Sequence, residues 1–201
     1  KDMFPSASTV IDGNNAGLPV LINGSGSIIG FTITKGYTSG SSGGGVRTSG
    51  ISNIKSCYIK NNYAGSSGAG IYSADGSTTL ISNCKIYDNT AGEKGGGIEA
   101  QGTVTIENSD IFNNSGGGVD CYEYQSTNVT ITNTTISGNS GGSQMNYFGV
   151  QAYNGSEVTI LNSIIYDNSS ANLSFALLER LLISNSFFVA WIGFFVRTLS
   201  L

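Results

Sequence analysis

The chain has 201 residues, of which 11% are charged and 29 are glycine, and it carries a net charge of −4 with no histidine. This excludes a disordered chain, which would be more charged and poorer in Ile and Val. It also excludes a nucleic-acid binder, which needs clustered Lys and Arg, and it removes the usual general base and the commonest metal ligand. One folded, turn-rich β domain with a neutral polar surface remains, of a kind suited to extracellular solubility.

The chain begins at Lys1 with no signal sequence, which predicts a processed product or a piece of something longer. Gly24-Ser-Gly-Ser-Ile-Ile-Gly30 looks like a phosphate loop only superficially, because the lysine, the spacing and the following helix are missing. From Ile54 onward an Asn-bearing segment recurs five times, 25 to 29 residues apart. It reads Ile59-Lys-Asn-Asn62, Ile86-Tyr-Asp-Asn89, Ile111-Phe-Asn-Asn114, Ile136-Ser-Gly-Asn139 and Ile165-Tyr-Asp-Asn168. A second isoleucine lies five residues before each: Ile54, Ile81, Ile106, Ile131 and Ile160. A period of this length means stacked supersecondary units.

Within a unit, Val104 and Ile106 alternate as a half-buried strand with Thr105 and Glu107 facing out. The step from Ile106 to Ile111 is odd, which would flip a continuous strand, so the chain must bend at Asn108. Asn83, Asn133 and Asn162 hold that bend in other units, and Ser56 holds it in the first. After Ser109 and Ile111 a second corner follows at Asn114. Then come the glycine runs Gly43–Gly45, Gly68–Gly70, Gly95–Gly97 and Gly116–Gly118, suited to sharp corners. A third strand starts at Val46, Ile71, Ile98 or Val119, and its next inward position holds Thr48, Ser73, Ala100, Cys121 or Ala152, all small.

Three short strands with bends between them predict an all-β, single-stranded right-handed parallel β-helix of about six coils over residues 1–172. At ~4.8 Å per rung, that is a rod on the order of 29 Å long. Stacking sets Asn over Asn, so the Asn residues read as a structural ladder satisfying its own amides and the backbone at the bends. Asn113-Asn-Ser and Asn128-Val-Thr also fit the N-glycosylation pattern, which arises by composition in such a chain.

After Asn172 the repeat stops. Phe175, Leu178, Leu181 and Leu182 sit at helical spacing opposite Glu179 and Arg180, which predicts an amphipathic helix within a hydrophobic tail over 173–201. Three readings of that tail stand open: a helical cap over the last rung, a membrane contact, or a non-native end. Its apolar run Phe187–Val196 is short of the ~20 residues that span a bilayer.

Gly-Gly-Gly-Ile followed by Ile/Phe-x-x-Asn is similar to the paired motifs of polymorphic outer-membrane protein repeats, within the wider pectate-lyase-like β-helix superfamily. Thr9-Val-Ile-Asp-Gly13, then Ile29-Gly-Phe-Thr-Ile33, is similar to the entry coils of such surface proteins. The resemblance covers about residues 9–172. It implies the fold and an extracellular, cell-surface or outer-membrane location, but no single activity, because lyases, hydrolases, adhesins and passive stalks share the scaffold. This chain departs from the family in using triple glycine where glycine-glycine-alanine-isoleucine is usual.

Chemistry has one place to sit. The outward column of the glycine-started strand reads Arg47, Tyr72, Glu99, Asp120 and Gln151, and the next reads Ser49, Ala74, Gln101, Tyr122 and Tyr153. Arg47, Tyr72, Glu99, Asp120, Tyr122 and Tyr153 are therefore the ligand-binding candidates, resembling a carbohydrate groove of paired carboxylates and stacking tyrosines. The blander account is that exposed strand positions are usually polar. No Asn-Thr-Asp, Asp-Asp or Gly-His-Gly cluster is present, nor a basic residue beside an acidic calcium cluster. No catalytic residue, metal or cofactor is assigned. Cys57 and Cys84 take the same inward position one rung apart, within Cα reach of a disulfide but with unfavourable parallel Cβ vectors. Two buried free thiols are expected ahead of a bond, and Cys121 reads as a small core residue. The expectation is a non-catalytic, adhesin-like or structural rod with glycan or cell-surface protein partners. Its alternative is a polysaccharide lyase, glycoside hydrolase or glycan-binding module.

Overall fold

Ile54, Ile81, Ile106, Ile131 and Ile160 fall in register on successive parallel strands, and Ile28 and Ile183 extend the column at either end. Ile59, Ile86, Ile111, Ile136 and Ile165 form a second column and Val46, Ile71, Ile98, Val119 and Val150 a third. The fifteen side chains of the five central coils are buried at 1% exposure or less, while the end members Ile28 and Ile183 are less enclosed. The computed structural model describes residues 9–121, 127–141, 148–153, 155–176, 180–189 and 192–195.

One coil runs Ile98–Ala100, Thr103–Glu107 and Asp110–Phe112. Repetition builds two sheets of eight parallel strands and one of seven, with a three-stranded ribbon at the remaining corner. The small inward column Thr48, Ser73, Ala100, Cys121 and Ala152 is in register as read from the sequence. The first bend is a single residue in the left-handed region, at Ser56, Asn83, Asn108, Asn133, Asn162 and Asn185, with φ from 49° to 54°. Asn is the side chain that tolerates this conformation best after glycine.

The glycine run serves two purposes. Gly95 has φ 59°, where a Cβ would be strained. Gly97 instead needs to be bare, since a Cβ there would lie 2.5 Å from the Gly118 carbonyl and 3.2 Å from the Asn114 amide.

That amide belongs to the Asn ladder. Asn114 Nδ2 donates to Asn139 Oδ1 at 2.9 Å and to the Ile86 carbonyl at 3.0 Å. Its Oδ1 accepts from the Asn89 backbone N–H and side-chain amide. The same pattern links Asn62 to Asn89, Asn139 to Asn168, and Asn168 to Asn172. A second ladder accompanies it. Ser109, Thr134, Ser163 and Ser186 each donate to the carbonyl two residues back. Cys57 and Cys84 do the same through sulfur, at 3.2 and 3.3 Å, and both thiols are free. The cysteines are thus the sulfur members of a hydroxyl column.

The tail corrects one expectation. No helix occurs among the described residues. Phe175 lies in strand Ala171–Ala176, and Leu181 and Leu182 in Arg180–Ser184; Leu178 and Glu179 are outside the described residues. These strands, with Phe187–Val189 and Ile192–Phe195, add parallel rungs to all three sheets. The physical reason is the open edge of Glu157–Leu161, whose N–H and C=O groups a strand can pair and a helix cannot. Along Arg180–Ser184 the burial alternates with period two, which is the strand signal the helical spacing obscured. Among the described residues the Asn ladder ends at Asn172, and the small inward column gives way to Phe175 beside Ala152.

Candidate functional site

Arg47, Tyr72, Glu99, Asp120 and Gln151 are Cα partners on consecutive strands of the glycine-started sheet. Adjacent rungs lie ~4.8 Å apart, so the two carboxyl groups are direct neighbours. Alternation points them away from the stacked core, yet Glu99 is 0% exposed and Asp120 3%, and Tyr72 is only 9% exposed. The solvent-facing groove expected here is therefore replaced by a sealed column at its centre, while Arg47, Gln151 and Tyr153 stay half-buried. Tyr122 lies outside the described residues.

Polar partners close around the pair. Tyr72 donates its hydroxyl to Gln101 Oε1 at 2.7 Å, and the Arg47 guanidinium sits 5.1 Å from the centroid of the Tyr72 ring. Lys94, in the loop ahead of the Glu99 strand, reaches the Tyr153 ring two rungs on, its ammonium 4.1 Å from the centroid. Burial pushes the Glu99 carboxyl well above its ordinary value, helped by the negative charge of Asp120 and a hydrogen bond with it. The Lys94 charge and the nearby Gln101 amide oppose this. Neither Glu99 oxygen meets an N–H or O–H donor in hydrogen-bonding geometry among the described residues. Burial and the Asp120 charge both favour the neutral carboxyl of Glu99, the form that can donate to Asp120, as expected of two like carboxylates that resist ionising together. Behind them, burial first and then the charges of Asp120 and Glu99 push the Cys121 thiol well up.

The other two cysteines act on each other through one hydrogen bond. A hydrogen bond from Cys84 pulls the Cys57 thiol down, to about 7, against the effect of burial. The same bond, with burial, pushes Cys84 well up. Among the described residues, no group of three His, Cys, Asp or Glu is placed to hold a metal ion. Gly26–Ile29 of the glycine-rich entry segment is a strand. Asp88 and Asp167 are exposed corner residues with φ 54° and 53°. Lys94 is the participant that sequence reading missed, because no periodic pattern fixes the path of a loop side chain.

A parallel coil with three stacked inward columns and an Asn ladder defines the class of protein. The family model described as right handed beta helix region matches residues 10–188. The chain belongs to that family. None of the curated proteins matches it.

Proposed function

We propose that the chain is a non-catalytic rod of a secreted or cell-surface protein, adhesin-like or structural, presenting flat polar faces to glycans or surface proteins. The observation that carries this reading is the burial of Glu99 and Asp120. A general acid must come within ~3 Å of the glycosidic oxygen it protonates, and a carboxyl at 0% exposure offers no such approach. The resemblance to polymorphic outer-membrane protein repeats supports the surface location.

A carbohydrate-active enzyme is the second reading, favoured by one feature. A Glu99 carboxyl pushed up beside a second carboxylate, Asp120, is the pairing that glycosidases use. A reducing-sugar assay on pectin, alginate and chitin separates the two. The rod reading expects no turnover from the intact protein; turnover abolished in Glu99→Gln overturns it.

A further inference from the structure

The sheet that leads into the asparagine corner carries another outward column, Lys60, Tyr87, Phe112, Ser137 and Tyr166, in consecutive register. The Lys60 ammonium lies 5.6 Å from the Tyr87 centroid, and the Tyr87 ring stacks on Phe112 at 4.8 Å with planes 4° apart. The stacked rings follow one another on successive rungs, so Phe112 has one face against Tyr87 and its other face on the side of the Ser137 rung. Tyr166, 39% exposed, is the next aromatic, two rungs beyond Phe112. Two rung spacings are ~9.6 Å, so a ring inserted midway would lie ~4.8 Å from each wall. The protein's own stacks keep that separation, 4.8 Å here and 4.9 Å between Tyr37 and Tyr63.

The intervening rung is a notch. It offers Thr135, Ser137 and Gly138, where the rung before has Asp110, Phe112 and Asn113 and the rung after has Ile164, Tyr166 and Asp167. Gly138 keeps the left-handed corner, φ 62°, without adding a side chain. Ser137 supplies a hydroxyl at the floor, and Asn113 and Asp167 are exposed at the corner beside it. A puckered pyranose can pack a C–H face on an aromatic ring, and its hydroxyls match a rim of hydroxyl, amide and carboxylate.

We propose that the notch between Phe112 and Tyr166 binds one pyranose ring of a glycan, sandwiched between the two aromatic faces over Ser137. Glycan contact then belongs to this face and not to the sealed Glu99 column. The assignment rests on reading the rod as a non-catalytic module with glycan partners.

Saturation-transfer NMR and titration of the intact chain test it, using glucose, galactose, mannose, xylose and N-acetylglucosamine oligosaccharides. At least one series binds. Phe112→Ala and Tyr166→Ala each weaken binding roughly three- to tenfold, the range of one aromatic contact. Ser137→Phe fills the notch by continuing the stack, so it abolishes binding while the melting temperature holds or rises. Tyr37→Ala, an exposed aromatic elsewhere, leaves binding unchanged. Failure of the whole panel to bind, or full binding in Ser137→Phe, overturns the notch; if Ser137→Phe does not fold, unweakened binding in both alanine variants does so. Sugar release by the intact protein would instead overturn the non-catalytic reading, and the notch would stand provided Ser137→Phe blocks it.

Discussion

The column from Arg47 to Gln151 and the column from Lys60 to Tyr166 obey the same strand alternation, and both point away from the stacked core. Yet Glu99 is fully buried while Tyr166 is 39% exposed. The difference teaches that alternation fixes the direction of a side chain and leaves open what covers it. On the glycine-started sheet, Lys94 and Tyr153 meet across the Asp120 rung. On the sheet before the asparagine corner, the flanking bends are single residues such as Asn108 and Asn113. Chemistry that needs access has a place on the second face and none in the middle of the first.

The largest effect that sharpens this contrast comes from the side that truly faces inward. Ile106→Asp puts an unpaired charge into a column at 0% exposure, and loss of cooperative folding, more than ~4 kcal/mol, should follow in thermal melts. A soluble variant with unchanged melting would break the assignment of that column.

A pair at the asparagine corner comes next. Asn114→Ala removes an acceptor from the Asn89 N–H and a donor from the Ile86 carbonyl, for about 2–4 kcal/mol. Its exposed neighbour Asn113→Ala, at φ 54°, should cost only about 1 kcal/mol of left-handed strain. Equal losses in urea titrations would mean that the ladder bonds contribute little.

The last contrast is a pH dependence. Folding raises the Glu99 pKa above its unfolded value of about 4.3, so the folded state holds a proton that the unfolded state lacks. This stabilisation is fully present below that unfolded value and is lost as pH rises through the folded one, at about 1.4 kcal/mol per pH unit. Glu99→Gln should flatten that slope. If the slope persists in Glu99→Gln, the sealed pair is not its source.

Much of this architecture was legible in the chain. The odd step from Ile106 to Ile111 demands the bend at Asn108, and the repeat alone sets Asn114 in a ladder. The glycine run was read for its corner but not for Gly97, whose bareness answers to the next coil's carbonyl. The tail misled because Phe175, Leu181 and Leu182 satisfy helical spacing as readily as strand alternation. Only the open edge of the preceding rung selects between the two.

The sequence by itself determined the period, the bends, the inward columns and the register, because each is a local pattern multiplied by stacking. The tertiary structure alone decided which outward side chains reach water. That depends on loop residues such as Lys94, and on which rungs carry small side chains beside large ones. Neighbours one and two coils away set both, from 21 positions (Glu99 to Asp120) to 59 (Lys94 to Tyr153) distant in the chain.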